Sequence, residues 1–137
     1  MKIRKIGFLL NVMLTSLLCA EQGFDENLIG FVMGLPKAEL HLHMEGTMEP
    51  ELFLVIAKRN GKETPYKDAE AVKDRMRAAY DLPSFIDMYE ELIGAVEVPE
   101  DIHDITLAYY RKAYSQGVRH VEMYFDPQLH LERGITL

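Results

Sequence analysis

Leu35-Pro36-Lys37-Ala38-Glu39-Leu40-His41-Leu42-His43-Met44-Glu45-Gly46-Thr47 is the stretch on which both fold and chemistry turn. Pro36 disfavours helix for the residue before it. Ala38 to His43 is short, mostly apolar and bounded by Pro36 and Gly46, which predicts a strand. Side chains alternate along a strand. Glu39, His41 and His43 therefore fall on one face, and Ala38, Leu40 and Leu42 on the other. Two imidazoles at i and i+2 sit about 6.6 Å apart along the backbone, so both can lean onto one ion. Neutral imidazole binds zinc with a bond of about 2.0–2.1 Å. His-x-His also occurs by chance on surface strands, and a catalytic zinc needs at least three protein ligands plus a water position. By itself the pair is an incomplete metal site.

Working outward, Pro50 to Asn60 predicts a helix, with Pro50 suited to the first turn and Asn60-Gly61 a strong stop. Asp68 to Tyr80 is a more polar helix. In Pro83 to Val96, the residues Phe85, Met88, Tyr89, Leu92, Ile93 and Val96 follow the three-and-four spacing of one helical face. Pro99 to Gln116 predicts a further helix, stopped by Gly117. Val118 to Phe125 then predicts a second strand, ending at Asp126-Pro127. On the other side, Phe24 to Met33 predicts a helical turn or two within a leader segment, 21–34, ahead of the main domain, 35–137. The order strand, helices, strand favours parallel pairing in an α/β sheet. Two strands neither close a sheet nor cover both of its faces. The pattern therefore predicts the first part of a larger, truncated domain.

The first twenty residues differ from the rest. Lys2, Arg4 and Lys5 precede an uncharged run from Ile6 to Leu18, then Cys19 and Ala20. This is the form of a secretory signal peptide, although Leu18 is a mediocre residue two before a cleavage point. The apolar run is too short to span a bilayer comfortably. An exported protein follows if 1–20 is a true signal. A cytoplasmic one follows if it is only an upstream extension. Over the whole chain of 137 residues the net charge is −7 and 48% of residues are hydrophobic, enough apolar character for a core. The acidic balance lacks the basic face that nucleic acid requires. Cys19 is the single cysteine, so no internal disulfide forms.

The opening stretch closely resembles the first-strand motif of the adenosine/adenine deaminase family of metal-dependent amidohydrolases. Leu82-Pro83-Ser84-Phe85-Ile86-Asp87-Met88-Tyr89 resembles the helix covering that family's purine pocket. Gly117-Val118-Arg119-His120-Val121-Glu122-Met123-Tyr124-Phe125-Asp126-Pro127-Gln128 resembles its second barrel strand. The Phe-Asp-Pro-Gln ending and the Glu-Gly-Thr after the histidines resemble the adenine deaminase branch more than the adenosine branch.

The resemblance implies the N-terminal part of a TIM-like (β/α)8 barrel, with extra helices between strands 1 and 2. It implies zinc as cofactor, with His41 and His43 as ligands, and Glu45 at an acidic position beside the substrate. Phe85 and Tyr89 would form the aromatic wall of the purine pocket, plain core packing being the alternative for that pair. Asp126 is expected to fix the strand end rather than to do chemistry. The implied reaction is hydrolytic deamination of a purine, adenine to hypoxanthine or adenosine to inosine. The family's third histidine ligand, its acid, its water-orienting histidine and its late aspartate find no match here. His103, His120 and His130 stand outside those motifs, and His120 is expected to be a packed or surface imidazole. The expectation is thus a chain inactive alone. Another metal-dependent amidohydrolase and a non-catalytic fragment are the competing readings.

Overall fold

The computed structural model describes residues 26–135, so the leader reading of residues 1–20 lies outside the described residues. The chain divides into two units, Met1–Leu35 and Pro36–Leu137. In the first, helix α1 runs Glu26–Gly34 and exposes Leu28, Ile29, Phe31, Val32 and Met33.

In the second unit the order is β1 (Lys37–His43), a 3-10 turn (Glu45–Thr47), α2 (Pro50–Arg59), α3 (Ala69–Arg77), α4 (Leu82–Ile93), α5 (Pro99–Ser115), β2 (Val118–Tyr124) and α6 (Pro127–Leu131). Local chemistry explains the boundaries. The Asp68 carboxylate accepts from Ala71 N–H at 2.9 Å, so Asp68 caps α3 instead of opening it. Asp81 accepts from Ser84 N–H at 2.9 Å, and Ser84 Oγ accepts from Asp81 N–H at 3.3 Å, a reciprocal cap on α4. The helix predicted to reach Val96 stops at Ile93. Beyond it, Ala95 and Val96 turn back tightly onto the carbonyls of Leu92 and Ile93, which still buries both side chains. Gly117 follows α5 with φ 84°, a left-handed stop that favours glycine.

The helices build the core. Met44, Met48, Phe53, Ile56, Val72, Met88, Leu92, Val96, Ile105 and Ile135 are buried together. Against the sheet, Tyr109, Ala113 and Val118 pack with Leu42, Val121 and Met123. Among the described residues no helix is long and apolar enough to cross a membrane.

β1 and β2 pair in parallel, as the long crossover predicts. The register is irregular: Glu39 pairs with Val121, but Leu42 pairs with Met123. Three steps on β1 thus match two on β2, an extra residue of the kind that defines a bulge. His41 sits in it with φ 59°, a left-handed conformation unusual for any residue but glycine. The bulge corrects the alternation expected from sequence. Glu39 leaves the histidine face and joins the helix side, where its carboxylate accepts from the Tyr109 hydroxyl. His41 and His43 remain together.

Candidate metal and substrate site

His41 and His43 lie at the C-terminal end of β1, their ring centroids 5.6 Å apart. Both rest against Tyr124 of β2, at 4.8 Å and 5.5 Å. Two imidazoles on one tetrahedral ion, with bonds of about 2.0–2.1 Å, place their ring centres roughly 5 Å apart. The donor set and spacing fit a metal ion. Among the described residues no group of three His, Cys, Asp or Glu side chains could hold one.

Asp126 changes what the pair can do. His43 Nδ1 lies 2.9 Å from Asp126 Oδ2. A carboxylate only accepts, so Nδ1 carries the proton and Nε2 keeps its lone pair for a metal. This hydrogen bond lowers the Asp126 pKa, outweighing burial, and the Tyr89 hydroxyl and Gln128 add to the effect. Asp126 thus stands at the strand end and also fixes the His43 ring through this bond. The sequence places Asp126 just after β2, and the parallel pairing of the strands brings that position beside the end of β1.

α4 supplies the facing wall. Its three-and-four stripe divides: Met88, Leu92 and Ile93 enter the core, while Phe85 is exposed and Tyr89 half-buried. Phe85 and Tyr89 stack at 6.0 Å with their planes 25° apart. They line a cleft of about 400 Å³ with His41, His43, Gly46 and Asp126. That volume suits a small ligand, for which sites run roughly 300–1,000 Å³. Plain core packing does not describe these two aromatics. Gly46 makes room for the wall, since a Cβ there would meet the Tyr89 ring at 3.3 Å.

Glu45 stands behind the cleft, not in it. Its side chain is buried. Oε1 accepts from Asp126 N–H at 3.0 Å and from His130 Nε2 at 2.9 Å. The Tyr89 hydroxyl lies 3.5 Å from Glu45 Oε2 and 3.2 Å from Asp126 Oδ2. Burial, followed by the charges of Glu45 and Asp126, pushes the Tyr89 pKa far above its ordinary value, so the hydroxyl keeps its proton to donate. His130, unassigned by its sequence context, is fully buried in this cluster. His120 is a surface imidazole 3.6 Å from Glu122, and His103 is exposed beside Asp104.

The sequence profile described as Adenosine deaminase matches residues 36–137. The chain belongs to the adenosine deaminase family. It is 52% identical over 106 residues to an adenine deaminase of Chlorobium phaeobacteroides, covering 77% of this chain and 31% of that relative. An adenine deaminase of Streptomyces coelicolor is 50% identical over the same shares. The crystal structure of adenine deaminase from Arthrobacter aurescens superposes with a TM-score of 0.68 at 44% identity, over 74% of this chain and 31% of that one. These relatives belong to the branch that Phe125-Asp126-Pro127-Gln128 favours. The chain spans just under a third of their length.

Proposed function

We propose that this chain supplies the first metal-binding strand and one wall of the purine pocket of a (β/α)8-barrel adenine deaminase. One observation carries the reading. His41 and His43, the latter oriented by Asp126, open onto the cleft walled by Phe85 and Tyr89. Family membership makes metal-dependent purine deamination the coarse function. Zinc and adenine are its finer terms.

In this reading His41 and the free Nε2 of His43 hold zinc. When bound, zinc lowers the pKa of its water to about 7 and so supplies the nucleophile for hydrolysis. Asp126 keeps the proton on His43 Nδ1 and the ring at a fixed angle. Phe85 and Tyr89 offer aromatic faces to a purine and keep water from one side of it. Glu45 supports the substrate side from behind, through the Tyr89 hydroxyl and the Asp126 backbone. The family's further ligands, acid and base find no match in residues 36–137, so the isolated chain should bind zinc weakly and deaminate neither adenine nor adenosine.

The test replaces the matching segment of the Chlorobium phaeobacteroides adenine deaminase with residues 36–137. Ammonia release should show a higher kcat/KM for adenine than for adenosine, abolished in the His43→Ala chimaera. Equal or better use of adenosine overturns the substrate assignment. Tight stoichiometric zinc on the isolated chain, lost in His41→Ala, overturns the incomplete-site reading.

A further inference from the structure

We propose that His130 is a positioning residue, whose Nε2–H holds the Glu45 carboxylate so that Glu45 fixes Asp126 and Tyr89 against His43. The contacts form one connected path. His130 Nε2 is 2.9 Å from Glu45 Oε1, which also takes the Asp126 N–H at 3.0 Å. Asp126 Oδ2 is 2.9 Å from His43 Nδ1 and 3.2 Å from the Tyr89 hydroxyl. The path joins α6, the 3-10 turn, the end of β2, α4 and β1.

His130 is itself firmly held. Its ring stacks on Phe125 at 5.4 Å with planes 12° apart. Its carbonyl accepts from Arg133 N–H at 3.0 Å and Ile135 N–H at 3.2 Å, closing the end of α6. The Arg133 guanidinium in turn donates to the Ile93 carbonyl at the end of α4. The ring orientation serves Glu45. Nδ1 is left buried without a hydrogen-bond partner among the described residues, while Nε2 meets the carboxylate. A ring placed for packing alone gains nothing from that arrangement, because a buried polar atom without a partner is destabilising.

The consequence for metal binding rests on the function proposed above, but the geometry can be tested without it. The probe is the full 137-residue chain with ¹⁵N-labelled histidine, since long-range ¹H–¹⁵N spectra read each imidazole's tautomer. Wild type should show His130 as the Nε2–H form and His43 as the Nδ1–H form, both without metal. A His130 ring that carries its proton on Nδ1, or exchanges between forms, overturns the proposal before any variant is made.

Two variants then separate hydrogen bonding from packing. His130→Gln keeps an N–H donor and loses the stack on Phe125. His130→Phe keeps the stack and loses the donor. Far-UV circular dichroism checks that each retains its helices. The proposal expects His43 to stay fixed in His130→Gln and to lose its single tautomer in His130→Phe. A zinc titration followed on the His41 and His43 signals should weaken about tenfold in His130→Phe, the low end of what loss of an outer-shell support costs. The opposite ranking, or equal behaviour of the two variants, assigns His130 to packing and defeats the proposal. Wild-type signals of His41 and His43 that never respond to zinc defeat the metal reading instead, while the tautomers still judge His130.

Discussion

Tyr89 has one hydroxyl proton and two carboxylates within reach, at 3.2 Å and 3.5 Å. Ionising it would place a third negative charge beside Glu45 and Asp126. Its pKa is accordingly raised, first by burial and then by those charges. A group with a raised folded pKa contributes stability below its unfolded pKa, about 10 for tyrosine, and loses it as pH climbs toward the folded value. The urea midpoint of the wild-type chain should therefore fall more steeply above about pH 10 than that of Tyr89→Phe, which removes this ionisation. Tyr66, pushed up to about 12, and Tyr109 remain in both proteins and cancel in the comparison. Parallel curves would show that Tyr89 ionises freely. At neutral pH, Tyr89→Phe should cost about 1 kcal/mol, the usual net worth of one such hydrogen bond. The neighbouring substitution Asp126→Asn should act on metal instead. It removes the carboxylate that orients His43, and zinc affinity in the chimaera should fall about 10–100-fold with the overall fold retained.

At the scale of elements, the start of α5 depends on Asp101. Its fully buried carboxylate accepts from the Glu97 N–H at 2.8 Å, the Val98 N–H at 3.1 Å and Asn60 Nδ2 at 2.7 Å, and it pairs with Arg59. Burial works to raise its pKa, but these donors outweigh burial and the pKa falls below the ordinary carboxylate value. A lowered pKa stabilises above the unfolded value of about 3.9, and that contribution disappears as pH drops through the folded one. Asp101→Ala leaves two backbone donors without their acceptor and should cost about 3 kcal/mol at pH 7, with the difference from wild type shrinking below about pH 4. Denaturant midpoints at the two pH values measure it.

The same elements show what was legible in the sequence. Pro50, Pro99, Asn60-Gly61 and Gly117 announced their helix ends through local backbone chemistry, and the stripe in α4 announced a buried face. The bulge at His41 was not legible. No glycine or asparagine marks it, and it becomes visible only through the strand pairing that moves Glu39 toward Tyr109. The role of His130 was hidden for a related reason: it lies 85 residues from Glu45, and only the fold brings them together. Asp126 falls between the two cases. Its place at the end of β2 could be read, whereas its bond to His43 required knowing that the strands are neighbours.

For the molecule as a whole, charge decides little. Pairs such as Lys73 with Glu51 and Arg77 with Glu70 lie on the surface, where solvent and salt screen them and little stability results. The sheet matters more. The helices of the second unit cover one of its faces, through Leu42, Val121 and Met123. Leu40, Tyr124 and Phe125 are exposed. Among the described residues β1 and β2 pair only with each other, so each has an outer edge with no neighbouring strand. Such edges invite pairing with other chains. If the remaining strands of a deaminase barrel pair there, their addition should cover both the edges and the exposed side chains. The chimaera with the Chlorobium phaeobacteroides relative should then melt cooperatively at a higher temperature than the isolated 137-residue chain. Amides of Leu40 and Tyr124 should also gain protection from hydrogen exchange. Greater protection at both positions with a single melting transition supports continuation of this sheet into a barrel. Unchanged exchange at β1 and β2 in an active chimaera would mean that the sheet ends with these two strands, and the barrel assignment would fall even though the deaminase family would stand.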